Sequence, residues 1–167
     1  KCLTLYNELK RIYGALLTER EWEILLYAIW SHDLGKISVS FQNPIRSRLA
    51  LPRLEDDTGN IPHNCLSPAF LNPKFFEEKW GKDSEAYRLL LCCVYYHHNR
   101  LASDPVKLKQ YIKGSLRKNP YPFPYRETCF CAAPRADFVD KVQPERFDEA
   151  QRMRYLLVKG LLNRVDY

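Results

Sequence analysis

The stretch WSHDLGK, residues 30–36, puts a histidine and an aspartate at the end of a core-facing helix pattern. Four apolar residues recur upstream of it at helical spacing: Trp22, Leu25, Leu26 and Ile29. His32 and Asp33 come next and continue the same buried face. Burying a histidine beside a carboxylate is costly unless the two share a proton or hold a cation. The pair by itself indicates either a satisfied helix end or a metal site.

The other histidines favour the metal site. The chain contains four histidines, and those besides His32 all lie next to predicted helix ends. Asp166, near the end of the sequence, lies on the core-facing stripe of the last predicted helix. Neutral imidazoles and carboxylates are suitable ligands for divalent manganese, magnesium, iron, nickel or cobalt. The sequence therefore predicts a site for one or two such ions with the following ligands: His32, Asp33, His63, His97, His98 and Asp166.

The composition predicts one globular domain, residues 1–167, that is large enough for a hydrophobic core. No apolar run approaches the roughly 20 residues of a membrane-spanning helix, and the first residues do not resemble a signal peptide, so no membrane is expected. The six cysteines lack zinc-site spacing, and we expect them to be reduced thiols of a cytoplasmic protein. The formal net charge of +6 favours a polyanionic partner.

Apolar periodicity predicts an all-α fold, a helical bundle with long proline-rich loops. The predicted helices cover residues 3–17, 18–32, 63–71, 85–96 and 144–165. Thr18 and Glu21 form a capping box at the start of the second helix. Residues 43–62 are predicted to be a loop, with an acidic run at 55–57 interpreted as a solvated turn and a short hairpin at 58–60.

Residues 102–146 are predicted to be loop-rich, and their first half combines basic and aromatic residues. Basic groups follow phosphates and flat rings stack on bases, so this composition is typical of sites for single-stranded nucleic acid. The alternative is a solvated basic helix whose aromatic neighbours fold onto the core. The candidate nucleic-acid-binding residues are Lys107, Lys109, Lys113, Arg117, Lys118, Tyr111 and Tyr121.

Several reaction classes lack their sequence signatures here. The chain has no P-loop, no nucleophile elbow and no glycine-rich nucleotide fingerprint. Hydrolysis of a phosphoester by divalent ions needs none of these, because the ions generate the attacking hydroxide from water and hold the phosphoryl oxygens. The predicted ligands therefore favour metal-dependent phosphoester hydrolysis.

The motifs resemble those of a known family, the HD-domain metal-dependent phosphohydrolases. More narrowly, the chain is similar to the HD nuclease domain of the CRISPR-associated helicase-nuclease of type I systems. The resemblance covers about residues 20–167 and is carried by the following segments: HDLGK at 32–36, Phe41-Gln42, HNCLSPAFL from His63, His97-His98-Asn99, and GLLNRVDY with Asp166.

The resemblance implies a role for each candidate residue. Asp33 would bridge two metal ions and, with Lys36, would form the catalytic pair, Lys36 lying near the scissile phosphate. One ion would take His32 and Asp166. The other ion would take the three remaining histidines, and the groups supporting the ligands would be Ser67 and Asn99. Members of the family usually carry a further ligand histidine upstream, but residues 1–31 contain none. Either the chain starts after that histidine or the ligand has been lost, so the site with His32 and Asp166 is expected to be the weaker one.

The resemblance also implies a function and partners. We expect a metal-dependent nuclease that cuts single-stranded DNA in CRISPR interference, in the cytoplasm of a prokaryote. Its partners would be a helicase subunit or domain and the CRISPR surveillance complex. A small-molecule phosphohydrolase such as a nucleotidase is a second possibility, and it would need a closed pocket. A non-catalytic HD module that binds a partner protein is a third, although such a module has no need of buried ligand-type side chains.

Overall fold

The computed structural model describes residues 2–54, 61–82, 84–98, 103–118, 123 and 127–166. The α-helices in these ranges are α1 Cys2–Tyr13, α2 Glu19–Ser31, α3 Val39–Arg48, α4 His63–Leu66, α5 Pro73–Trp80, α6 Glu85–Tyr95, α7 Pro105–Tyr111 and α8 Glu149–Asp166. Short 3-10 turns occur at Gly14–Leu16, Leu34–Ile37, Ser67–Phe70 and Pro144–Arg146, and a π-helical turn, Ile112–Leu116, continues α7. No strand occurs in the described ranges, where a single antiparallel bridge joins Leu71 and Phe130. The prediction of an all-α fold is confirmed.

Helix α2 lies at the centre of the bundle and packs against both α6 and α8. Its core face is fully buried at Trp22, Leu25 and Ala28, as the helical spacing of the apolar residues predicts. Helix α6 is apolar on nearly every side, and all of its residues except Glu85 and Arg88 are buried. The chain segments that follow the C-terminal ends of α2 and α6 lie close together, with the imidazole ring centroids of one segment and the other 5.2 Å apart. These segments contain His32 and His97.

The predicted capping box starts α2. The Glu21 backbone N–H donates to Thr18 Oγ1 at 3.3 Å, and the Thr18 backbone N–H donates to the Glu21 carboxylate at 2.6 Å. Both contacts satisfy donors that the first turn of a helix otherwise leaves unpaired, which typically stabilises a helix by about 1 kcal/mol. The capping box therefore fixes where the helix that presents the HD pair begins.

Two boundaries differ from the predictions near the start of the chain. Helix α1 ends at Tyr13 rather than at residue 17, and a 3-10 turn follows it. Residues 43–48, predicted to be loop, form the second half of α3, with Pro44 inside the helix. The loop prediction was wrong for these residues. Pro44 removes one backbone hydrogen bond and its ring crowds the carbonyl one turn back, but the Ser38 side chain caps the helix at its start. The Asn43 side chain pairs with both backbone groups of Leu54, at 2.9 and 3.0 Å, and folds the following chain onto α3.

Two further predictions change in the second half of the chain. The segment predicted to be loop-rich contains α7 and its π-helical continuation, residues 105–116, whose buried side chains are Leu108, Tyr111, Ile112 and Leu116. The last α-helix begins at Glu149 rather than at residue 144.

All six cysteines are unpaired, as expected. None of the described helices combines the length and the apolar character needed to cross a membrane. The predicted features at 55–57 and 58–60, Asn99 and Tyr121 lie outside the described residues.

Candidate metal centre

The ends of four helices bring the six predicted ligands together. His32 and Asp33 directly follow α2, and the His97-His98 pair follows α6 in an irregular turn. His63 is the first residue of α4, and Asp166 is the last residue of α8. Within each of two groups, the potential ligand atoms lie within 4.8 Å of one another. One group consists of His63, His97 and His98, and the other of His32, Asp33 and Asp166.

The Asp33 carboxylate belongs to the second group and also faces the first. Its Oδ1 atom is 3.4 Å from His63 Nε2, and its Oδ2 atom is 3.5 Å from His32 Nε2. Each oxygen thus faces a different group of ligands. A carboxylate in this position has the geometry to bind one cation through each oxygen.

Backbone contacts orient two of the imidazole rings. His32 Nδ1 lies 2.8 Å from the Ile29 carbonyl oxygen, and His97 Nδ1 lies 2.7 Å from the Val94 carbonyl oxygen. A carbonyl can only accept, so in both rings Nδ1 carries the hydrogen and donates it. In a neutral ring this leaves a free lone pair on Nε2, the arrangement found in metal-ligating histidines.

Two contacts test whether these residues fit a cation. His32 Nε2, whose lone pair is free in the neutral ring, lies 3.0 Å from Asp166 Oδ1, which is also an acceptor. Two acceptors this close need a proton or a cation between them. His97 Nε2 and Asp33 Oδ1 are buried and make no hydrogen bond with the residues that the structure describes. Buried acceptors without a donor are costly, so the residues fit a divalent cation.

The environment holds Asp33 and His97 in their metal-binding forms near neutral pH. Burial by itself would raise the pKa of Asp33, but contacts with His63 and Lys36 and the nearby positive charges outweigh it and hold the pKa well below its usual range. Burial, reinforced by the neighbouring histidines, lowers the pKa of His97 to about 3. The carboxylate is therefore ionised and the imidazole neutral, as cation binding requires.

Lys36 lies at the more open side of the centre. Its Nζ atom is 2.7 Å from Asp33 Oδ2 and 5.8 Å from the centre of the Phe41 ring. The 3-10 turn after the HD pair brings the ammonium group back over the carboxylate, three residues away in sequence. The ammonium group is half-exposed and can contact a molecule that approaches the centre from solvent.

Ser67 and Gly35 hold the ligand-bearing segments against each other. The fully buried Ser67 hydroxyl donates to the His32 carbonyl at 2.6 Å and accepts from the Gly35 N–H at 2.9 Å. A Cβ atom on Gly35 would overlap the His63 carbonyl oxygen. The turn after α2 and the start of α4 can therefore approach this closely only with glycine at position 35.

Two supporting residues were missed by the sequence reasoning. The buried Asn64 side chain donates to the Tyr95 carbonyl at 2.6 Å and joins α4 to the end of α6. Gln42 donates to the Lys36 carbonyl at 2.7 Å and fixes the turn that carries this lysine. Their roles depend on contacts distant in sequence. Both lie in segments that carry the family resemblance, Gln42 in Phe41-Gln42 and Asn64 in HNCLSPAFL, but these segments do not show which groups the two side chains contact.

The structure divides the predicted nucleic-acid-binding residues. Lys109, Lys113 and Arg117 line an open groove of about 390 Å³ together with Arg135 and two aspartates. Lys109 pairs with Asp140 at 2.7 Å and Arg135 pairs with its neighbouring aspartate at 3.1 Å, whereas Lys113 and Arg117 form no ion pair with described residues. Lys107 and Lys118 are exposed outside this groove.

Tyr111 does not have the predicted position. Its side chain is 1% exposed and packs in the core beside Leu108 and Ile112, so it has no free face on which a base could stack. The prediction that Tyr111 binds nucleic acid was wrong, because the core-facing stripe of α7 was not recognised in a segment interpreted as loop.

The fold and the centre together define a class of protein. An all-helical bundle with a histidine–aspartate pair at a helix end, further histidines and a C-terminal aspartate around one carboxylate has the residue arrangement of an HD domain and could hold a metal ion. A family model described as "Cas3, HD domain" matches residues 4–161, and the chain belongs to this family. The comparisons with curated proteins and with solved structures returned no match.

Membership confirms the predicted resemblance. The family comprises CRISPR-associated HD phosphohydrolases and nucleases, and its members typically are metal-dependent hydrolases. It implies association with CRISPR machinery and with nucleic acid. The family binds divalent metals, and the two ligand groups described above could hold such ions in this chain.

Proposed function

We propose that this chain is a metal-dependent nuclease that hydrolyses phosphodiester bonds of single-stranded DNA in CRISPR interference. The position of Asp33 carries the proposal, because its two oxygens face two separate ligand groups at 3.4 and 3.5 Å. This arrangement suits a pair of cations that act on the same phosphate.

The ligands divide between the two proposed ions. One ion would be held by His32, Asp33 and Asp166, and the other by Asp33 with His63, His97 and His98. The donor set suits manganese, iron, nickel or cobalt, and also magnesium where carboxylates dominate. Once bound, such ions supply the means to activate a water molecule and to neutralise charge on the phosphoryl oxygens.

The chain itself positions the reaction. Hydrolysis joins a water oxygen to phosphorus and breaks one phosphorus–oxygen bond of the strand, and the leaving oxygen receives a proton, so no protein nucleophile is needed. Lys36, 2.7 Å from Asp33, can place a positive charge beside a phosphoryl oxygen. Ser67 supports the ligands indirectly, because its hydroxyl donates to the backbone carbonyl of His32. Asn99, which follows the histidine pair in sequence, is proposed as a further supporting group.

The positive charge of the chain and its basic groove support a polymeric substrate over a small nucleotide. The chain carries a formal charge of +6, and the groove along α7 presents Lys113 and Arg117 without ion-pair partners among the described residues. Basic grooves of this kind follow the phosphates of a strand. We further propose that a helicase subunit or domain delivers the single strand, that a CRISPR surveillance complex selects it, and that both act with this chain in the cytoplasm of a prokaryote.

Substrate comparison tests the proposal. The protein, loaded with manganese, is incubated with linear single strands, circular single strands, duplex DNA and nucleoside monophosphates. We expect cleavage of both single-stranded forms and little of the duplex. Hydrolysis of the monophosphates with intact DNA would favour a nucleotidase, and a metal-loaded protein inert on all of these substrates would contradict the proposal.

A further inference from the structure

A groove of about 310 Å³ runs beside the metal centre along one face of α3. Five residues of α3 line it: Ser40 and, at helical spacing of three, four and seven, Phe41, Pro44, Ile45 and Arg48. The opposite wall is the segment 61–63, which ends at the ligand His63. A Ser40 hydroxyl contact with the Ile61 carbonyl, at 3.4 Å, joins the two walls.

The groove is continuous with the metal centre. His63 belongs both to the groove wall and to the three-histidine ligand group. The rings of Phe41 and His63 meet edge to face, with their centroids 5.2 Å apart. Lys36 contacts Phe41 on one side and Asp33 on the other. A molecule in this α3 groove therefore lies next to a phosphate held at the centre.

The chemistry of the walls indicates what can bind there. Phe41, Pro44, Ile45, Ile61 and Pro62 provide an apolar surface, and Ile45 is 40% exposed. Arg48 lines the same groove, is exposed and forms no ion pair with described residues. An apolar slot with a cation along it suits a flat uncharged ring attached to a phosphodiester chain, because the ring packs on the slot and the cation pairs with a phosphate.

We propose that the α3 groove binds an unpaired nucleobase adjacent to the phosphodiester at the metal centre, with Arg48 contacting a neighbouring phosphate. This inference rests on the proposed nuclease function and adds a base-binding site to it. A base in a duplex is stacked on both faces and cannot enter the groove without first leaving the stack. The groove therefore provides a physical reason for a preference for single strands.

Binding by the metal-free protein tests the groove without requiring cleavage. Fluorescence anisotropy compares an oligothymidylate with an abasic oligonucleotide of equal length and charge, for wild type and for Ile45→Ala. We expect Ile45→Ala to weaken binding of the oligothymidylate about fivefold or more and to leave the abasic strand unaffected, because it removes a contact that only a base can make.

Two further variants complete the comparison. Leu49→Ala is the matched control, since Leu49 is 64% exposed at the end of α3 but does not line the groove. It should change neither affinity. Arg48→Ala should weaken both strands equally and reduce the log–log salt slope by about 0.7, the value for one lost phosphate contact on a single strand.

The possible failures are distinguishable. If Ile45→Ala weakens both strands equally or weakens neither, the α3 groove does not bind a base, whether or not the protein cleaves DNA. If the predicted difference appears but the metal-loaded protein cuts no strand, the base site stands and the proposed nuclease function fails. A metal-free wild-type protein that binds neither strand contradicts the base site, and cleavage by the manganese-loaded protein then decides the nuclease function by itself.

Discussion

Gly35 lies where two ligand-bearing segments of the chain meet. A Cβ atom there would overlap the His63 carbonyl oxygen, which is backbone and cannot move aside alone. We expect Gly35→Ala to lower the free energy of unfolding by about 1–3 kcal/mol, the usual cost of overpacking, and to displace α4 from the turn after α2. Urea denaturation measures the first effect and loss of metal affinity measures the second.

Gly160→Ala is the control for this prediction. Gly160 lies inside α8, and a Cβ atom there would meet nothing within 4 Å. Alanine is more favourable than glycine inside a helix, so this variant should be about 0.5–1 kcal/mol more stable than wild type. A Gly35→Ala protein as stable as Gly160→Ala would show that the close approach is not needed.

His97 makes the stability of the metal-free protein depend on pH. Its pKa of about 3 in the folded protein lies below the ordinary value of 6.5, so between these values the unfolded chain binds a proton that the folded chain does not. The free energy of unfolding should therefore decrease as the pH falls from 6.5 toward 3, by at most about 1.4 kcal/mol per pH unit from this group.

A variant isolates this contribution from the other titrating groups. His97→Gln should show a shallower decrease in stability over the same acidic range, while the two proteins should behave in parallel above the ordinary pKa of histidine. Chemical denaturation of the metal-free proteins at a series of pH values provides the measurement. Equal slopes for both proteins would contradict the burial of a neutral His97.

The sequence could predict the ligand-type residues of the site but not the contacts that hold their segments together. The six ligand-type residues were recognisable because histidines and aspartates on core-facing helix ends are costly to bury unless they bind a cation or one another. Their division into two groups around Asp33 came from the family resemblance and agrees with the geometry. The contact of Gly35 with His63 and the bond from Asn64 to Tyr95 join segments distant in sequence, and no local pattern encodes them.

At the scale of elements, α7 determines which basic residues share a surface. Lys113 and Arg117 are one helical turn apart and line the same groove without ion-pair partners in the described part of the chain. We expect their joint replacement by alanine to weaken binding of single-stranded DNA and to reduce the log–log salt slope by about 0.7 for each lost phosphate contact. Hydrolysis of a small phosphodiester should be little affected.

Lys74→Ala provides the control for the basic groove. Lys74 is an exposed lysine on α5 that lies outside the α7 groove and makes no ion pair with described residues. Its replacement removes one positive charge, half of what the joint replacement removes, and should leave the salt slope unchanged. A change in proportion to the charge removed in both proteins would mean that net charge, rather than the groove, governs binding.

Helix boundaries were predictable where local signals agree and not where packing decides. The capping box at Thr18 and the apolar periodicity of α2 and α6 were sufficient to predict these helices. Pro44 inside α3 was interpreted as a helix breaker, although Ser38 caps that helix upstream and Asn43 ties it to the following chain. The short helix α7 was not predicted, because its few buried residues lie in a segment dominated by charged residues and prolines.

For the whole molecule, the ligand inventory predicts unequal metal affinities. Asp33 belongs to the group with His32 and Asp166, and its Oδ1 atom also lies 3.4 Å from His63 of the three-histidine group. Imidazoles hold a transition metal more firmly than water does. The group with one histidine offers fewer imidazoles, so water must complete the coordination of its ion, and that ion is held less firmly. We expect this chain to retain one ion tightly at His63, His97 and His98 and a second only at millimolar metal, with activity rising as the second site fills.

Elemental analysis after dialysis and anomalous scattering from crystals measure this occupancy. The expected result is close to one tightly held ion per chain, located at the three histidines. A single tight ion between His32 and Asp166 with the three histidines empty would reverse the ranking.

The central claim is that Asp33 organises a metal centre that cuts single-stranded DNA. It is tested most directly by measuring bound metal and cleavage of circular single-stranded DNA together, for wild type and Asp33→Asn. Asparagine keeps the size but removes the charge that both ligand groups share, and the loss of several kcal/mol of metal-ion stabilisation corresponds to a rate at least about a hundredfold lower. We expect Asp33→Asn to fold like wild type, to bind less metal and to leave the circles intact. Cleavage by Asp33→Asn at the wild-type rate, with manganese added to chelator-treated protein, would contradict the role of Asp33.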